Sequence, residues 1–125
     1  MIELCCFHIF TILFLITGVL IVSKYLIREG YTAMALFPFI ILRKKEYKEN
    51  AVLLNHEKIH LRQQAELLIL PFYLWYLIEF IIRLAYYRNH KEAYRSISFE
   101  REAYNNETNP NYLRNRKLFK FISYY

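Results

Sequence analysis

Residues 4–23, LCCFHIFTILFLITGVLIVS, run for 20 positions without a charged side chain. A helix of about 20 apolar residues crosses a bilayer once, so this run constrains how everything after it can be arranged. The start MIE carries no basic residue and no small-x-small cleavage pattern follows, which argues against a secretory signal peptide. The expectation is a retained transmembrane anchor with its turn over residues 1–30, followed by a second unit over residues 31–125. Lys24, Arg28, Arg43, Lys44, Lys45 and Lys48 follow the run. Basic residues mark the cytoplasmic side, so a single-pass protein with its N-terminus outside and the rest inside is expected. His8, alone in the run, reads as a buried polar residue. The adjacent Cys5 and Cys6 read as apolar residues, because neighbouring cysteines rarely pair and no spaced thiol pair is present for a metal.

Composition removes several function classes. All 11 acidic residues are Glu, so a Ser-His-Asp triad is excluded. Gly18 and Gly30 are the only glycines, too few for a Gly-rich phosphate loop. The chain is 56% hydrophobic and 18% aromatic, too apolar for a disordered segment. The net charge is +6, and much of it lies in the tail YLRNRKLFKFISYY. Beside a membrane anchor, that tail is expected to meet anionic lipid headgroups rather than nucleic acid.

The remaining chain divides at its turn residues. TAMALFPFIIL (32–42) carries large apolar residues on both alternating faces and reads as a strand. Pro38 cannot donate to a ladder, which places it at a sheet edge. Asn50 is a helix cap, and a helix is expected over 51–70, broken or restarted at Pro71. The segment 71–87 is apolar enough to span, but Glu79 and Arg83 sit inside it at i,i+4 spacing. That pair suits a helix packed over protein or lying at the membrane interface. A further helix is expected over 97–107, capped by Ser96 or Ser98.

The first long helix contains NHEKIHLRQQAE (55–66). His56 and His60, four apart, project to one side and can share one tetrahedral metal. Glu57 is rotated by about 100° from His56, where it can act on a metal-activated water without ligating. A third ligand is needed. Glu66 follows six after His60, but on a continuing helix it points about 120° away. Glu100, Glu102 and Glu107 on the later helix are one group of candidates, and His90 with Glu92 in the connector is another. Spacing alone does not choose between them. Gln63 and Gln64 read as groups supporting the site or facing solvent. Tyr86, Tyr87, Tyr94, His90 and Arg95 are all candidates for stabilising a developing oxyanion.

LLNHEKIHLRQQAELL followed by an apolar connector and SFEREAY resembles the gluzincin arrangement, with HExxH on one helix and a ligating Glu on a later one. More narrowly, residues 31–107 resemble the membrane metallopeptidase domains of beta-lactam sensor-transducers and the compact minigluzincins. The resemblance implies His56, His60 and Glu100 as ligands of Zn2+, and Glu57 as general base. It places Ala103 at the small residue of an E-x-x-A-D pattern and Tyr104 where an Asp would orient a histidine ligand. It also implies an edge strand that pairs with an extended peptide substrate, and residence in the bacterial inner membrane. The expected fold is mainly α with a small β element: an N-terminal transmembrane helix, then a compact helical core with one edge strand or hairpin. The expected function is a membrane-anchored zinc metalloendopeptidase, with a partner subunit completing the cleft as a further expectation. The alternative is a non-catalytic zinc-binding membrane regulator that retains the site, which the missing Asp favours. A structural membrane protein with a chance motif is the third reading.

Overall fold

A computed structural model describes residues 18–125 of the chain. The protein is mainly helical with a small three-stranded sheet. Strands β1 (Val19–Val22), β2 (Ala33–Leu36) and β3 (Phe39–Leu42) lie in the order β1-β3-β2. β1 pairs parallel with β3, and β2 pairs antiparallel. Residues 19–22, expected at the end of a membrane helix, are therefore strand. Gly18 turns the chain into β1 with a φ of +71°, and a Cβ there would meet Leu61 and Ile40. The rest of the apolar run, with Cys5, Cys6 and His8, lies outside the described residues.

The segment 32–42 is a hairpin and not one strand. Phe37 and Pro38 form its turn, where a missing N–H costs nothing, and the Pro38 carbonyl accepts from Val19 N–H at 2.9 Å. β2, at the edge, turns its smaller residues inward. Ala35 packs with Ile40, Leu42 and with Leu61 of helix α1 (Ala51–Leu67). The Asn50 side chain accepts from Leu53 N–H at 3.0 Å, the expected cap. α1 ends at Leu68, whose φ is 66°, so Pro71 falls inside the first turn of the next helix and is not itself the break.

That next helix, α2 (Ile69–Tyr87), has 19 residues and is about 28 Å long. Among the described residues it is the one helix long and apolar enough to cross a membrane. Its inner stripe, Phe72, Tyr76 and Phe80, packs on a second core of Ile97, Phe99 and Phe121. Its opposite face exposes Leu70, Leu74, Leu77, Ile78, Ile81 and Ile82, an apolar surface running the length of the helix. Glu79 is buried and pairs with Arg83 at 3.2 Å, as the spacing predicted.

α3 (His90–Ser96) folds back along α2 and leads into α4 (Ser98–Asn106). Neither Ser96 nor Ser98 caps α4 in the expected way. The carboxylate of Glu79 does so from α2, accepting from Ser98 N–H at 2.8 Å and Ser98 Oγ–H at 2.7 Å. An acid at a helix N-terminus also suits the helix dipole. The tail forms α5 (Tyr112–Asn115) and a closing turn, and it belongs to the core. Phe121 is fully buried, and the Arg116 guanidinium is enclosed between Glu102 and Glu66. α1 thus lies between the sheet on one side and α2 with α4 on the other.

Candidate metal centre

α1 directs a polar face inward. His56, Glu57, His60, Gln63 and Gln64 are all buried. Each needs a partner, since a buried polar group left unmatched costs about 1–3 kcal/mol. The partners come mainly from α4 and β2.

His56 Nδ1 lies 2.8 Å from Glu107 Oε2. A carboxylate accepts only, so Nδ1 carries the proton and Nε2 is left as a lone pair. His60 Nδ1 lies 2.8 Å from Gln63 Oε1. Gln63 cannot be turned around, because its Nε2 donates to Phe99 O at 3.1 Å and to Glu102 Oε2 at 2.9 Å. His60 therefore also donates from Nδ1 and presents Nε2. The two Nε2 atoms stand 3.1 Å apart. Glu100 from α4 faces both, its Oε2 3.4 Å from His56 Nε2 and its Oε1 3.4 Å from His60 Nε2. A tetrahedral metal with ligand bonds of about 2.1 Å has ligand–ligand edges of about 3.4 Å. Glu100 Oε2 is buried without a hydrogen-bond partner, an orphan that a cation would satisfy. The three residues can hold a metal ion, and two imidazoles with a carboxylate suit several divalent transition metals.

The other candidates lie elsewhere. Glu102 joins Gln63 to Arg116, and Glu66 meets Arg116 and Phe119 N–H, so Glu66 points away from the cluster as expected. His90 packs against Phe80 at 5.0 Å. Neither it nor Glu92 joins the cluster. Tyr104, standing where an Asp was implied, packs edge-on against His56 at 4.7 Å. The carboxylate on His56 comes from Glu107, one turn later. Asn55 makes this reach available by donating to the carbonyls of Glu107 (2.8 Å) and Asn109 (2.9 Å). Sequence reading had Glu107 only among candidate ligands. The signal that finds its role is the Asn–His pair at 55–56, which clamps the end of α4 and then uses it.

Two cavities meet at this cluster. One, of about 360 Å³, is walled by Leu26, Ile27, Met34, Phe72 and Tyr73 and reaches His60, Glu57 and Glu100. The other, of about 570 Å³, is lined by His90, Lys91, Arg95 and Tyr104 and reaches His56, Glu57 and Glu107. Glu57, Ala33, Tyr31 and Tyr94 border both. On β2, the side-chain amide of Gln64 mimics a peptide unit. Its Nε2 donates to Ala35 O at 3.0 Å, and its Oε1 accepts from Phe37 N–H at 2.8 Å. The Thr32–Arg43 bond fixes which backbone groups face β3, leaving the N–H and C=O of Ala33 directed to the open edge.

Electrostatics follow from this enclosure. Burial raises the Glu57 carboxyl above its ordinary value, against the pull of His60 and His56. Burial also works against the His60 imidazolium, but the charge and hydrogen bond of Glu100, followed by Glu57 and Gln63, outweigh it and push His60 up to about 9. Burial opposes ionisation of Glu100, yet the adjacent His60 and His56 imidazoles hold it well below the usual carboxylate range. Without metal, the cluster thus retains a proton near neutral pH.

No protein-family model, curated protein or solved structure matches the chain.

Two outcomes follow from this geometry. Glu107→Gln removes the charge behind His56 and is expected to weaken divalent-metal affinity by about 10- to 100-fold, read by competition with a chromophoric chelator. Unchanged affinity would contradict the orienting role. The second concerns pH. The raised His60 value gives the metal-free protein stability that is fully present below the unfolded value of about 6.5 and is lost as pH rises through about 9. Raised Glu57 acts with the same sign. Bound metal displaces that proton. The melting temperature of the metal-free protein should therefore fall from pH 6.5 to 9 while the increment produced by added metal grows. Parallel pH profiles with and without metal would contradict this.

Proposed function

We propose that this protein is a membrane-bound, zinc-dependent endopeptidase of gluzincin type. The observation that carries the reading is the placement of Glu57. It stands where two cavities meet, beside two imidazole lone pairs and a buried carboxylate arranged for one metal. Zinc, when bound by His56, His60 and Glu100, supplies a Lewis acid for a peptide carbonyl and makes a bound water acidic near neutral pH. Glu57 would take a proton from the attacking water and return it to the leaving amine. Its raised pKa brings the carboxylate closer to the range in which such a base is effective. Tyr94 borders both cavities, and burial with the Glu100 charge keeps its phenol protonated. It is thereby a hydrogen-bond donor for the developing oxyanion. The open edge of β2 at Ala33 offers an extended peptide a main-chain pair, and Gln64 closes that edge beyond it. The absence of Asp at position 104, which favoured a non-catalytic regulator, loses its force because Glu107 brings a carboxylate to His56.

The same reading seats the protein in a bacterial inner membrane, with the apolar face of α2 in lipid. Ligands from α1 and α4 share one cluster, so α2 between them is not a lone crossing that separates them. It lies with its outer face in the bilayer and its inner face on the site.

Glu57→Gln is expected to leave bound zinc near one per chain while lowering peptide hydrolysis about 10²- to 10⁴-fold. Loss of zinc along with activity would make Glu57 structural, and a zinc-loaded wild type that cleaves no peptide would move the reading to a metal-binding regulator. Topology has its own check. Single cysteines at Lys48 and Glu92, with Cys5 and Cys6 replaced, should both stay unlabelled by an impermeant thiol reagent in intact cells and both react after permeabilisation. Labelling of one alone would overturn the membrane seat.

A further inference from the structure

The polar cavity has a cation that forms no salt bridge among the described residues. Arg95 of α3 lies over the ring of Tyr104, its guanidinium carbon 5.0 Å from the centroid. Tyr104 in turn packs on His56. Among the described residues, Arg95, Lys91 and Arg101 form no salt bridge. Three acids are nearby, and one of them, Glu57, borders the same cavity beside His56 and His60. Glu107 borders the same cavity but is engaged with His56, and Glu92 borders the adjoining groove that Lys91, Arg95 and Arg101 line. Of these cations, Arg95 is the one that both borders this cavity and stacks on the ring packed against His56, while the other cavity is walled mainly by apolar side chains.

We propose that Arg95, positioned by Tyr104, anchors a carboxylate of the peptide substrate. A guanidinium offers two parallel donors that match a carboxylate's two oxygens. Its distance from the metal sets the register. Arg95 lies within about 10 Å of the His56 ring through the Tyr104 stack, and an extended chain advances about 3.3 Å per residue. The carboxylate therefore belongs to a residue within three positions of the cleaved bond. It is either an acidic side chain or the chain's own C-terminus. This rests on the peptidase reading, and it makes the enzyme selective for acidic peptides on the side of the metal facing α3.

The test uses acetylated, amidated fluorogenic peptides that carry Glu or Gln at each position within three residues of the cleaved bond. A third set carries Gln and a free C-terminal carboxylate. Glu over Gln by at least about tenfold in kcat/KM at one position supports a side-chain anchor. A preference seen only with the free C-terminus supports a terminal-carboxylate anchor. In either case Arg95→Gln should collapse the preference, and Arg95→Glu should favour Lys over Gln at the same position. Should no peptide be cleaved, the peptidase reading fails, and the same peptides are titrated by fluorescence polarisation onto zinc-loaded Glu57→Gln protein. Tighter binding of the acidic peptides there, lost with Arg95→Gln, still supports the anchor. Equal handling of Glu, Gln and free carboxylate in both assays, or a preference that survives Arg95→Glu, overturns it.

Discussion

Two imidazoles and a carboxylate buried together must have every other polar atom around them matched, and the rest of this small fold answers that demand. Each histidine has one nitrogen for the centre and one for a partner. Glu107 serves His56 and Gln63 serves His60. Gln63 then needs acceptors, which α4 supplies through Phe99 and Glu102. Glu102 needs cations and donors, which Arg116 and Tyr112 supply. The C-terminal segment is thereby tied to α1 through buried charge, with Phe121 closing the aromatic core beneath it. Removing one member of such a chain strands the next, because a buried charge without its partner is far costlier than the pair. The centre and the fold stand or fall together.

The site's helix-borne half was readable from residue spacing, and its second half was not. His56, Glu57 and His60 lie within one and a half turns, so helical geometry alone puts two of them on one face. Glu100 is 40 positions beyond His60 in the chain, and only a resemblance to gluzincins singled it out. Glu107 was harder still. Its role depends on Asn55 holding the C-terminal end of α4, a contact between residues 52 positions apart. Arg116 was misread for the same reason. Basic side chains among aromatic ones pattern like a membrane-facing tail, and its counter-charges, Glu66 and Glu102, are set by packing that no local pattern records.

The sheet gave a different lesson. A four-residue strand such as VLIV at the end of an apolar run has the composition of a helix end, and periodicity does not separate the two over so short a stretch. Gly18, at positive φ, was the break in that run. Pro38 argued for an edge strand, but a turn satisfies its missing N–H as well as an edge does. Under the proposed function, what the hairpin contributes is its outer rim. Gln64 fastens one end of β2 to α1, which fixes the open backbone of Ala33 beside Glu57. A peptide paired there would lie between an apolar chamber and a polar one, across the proposed metal position.

The account's central claim is one metal held by two imidazoles and a carboxylate. X-ray absorption at the zinc edge, on protein loaded to saturation and cleared of excess metal, tests it most directly. The predicted result is one zinc per chain in a shell of nitrogen and oxygen at about 2.0–2.2 Å, with imidazole outer-shell scattering and no sulfur. Stoichiometry well below one, or a sulfur shell at about 2.3 Å implicating Cys5 or Cys6, would contradict it.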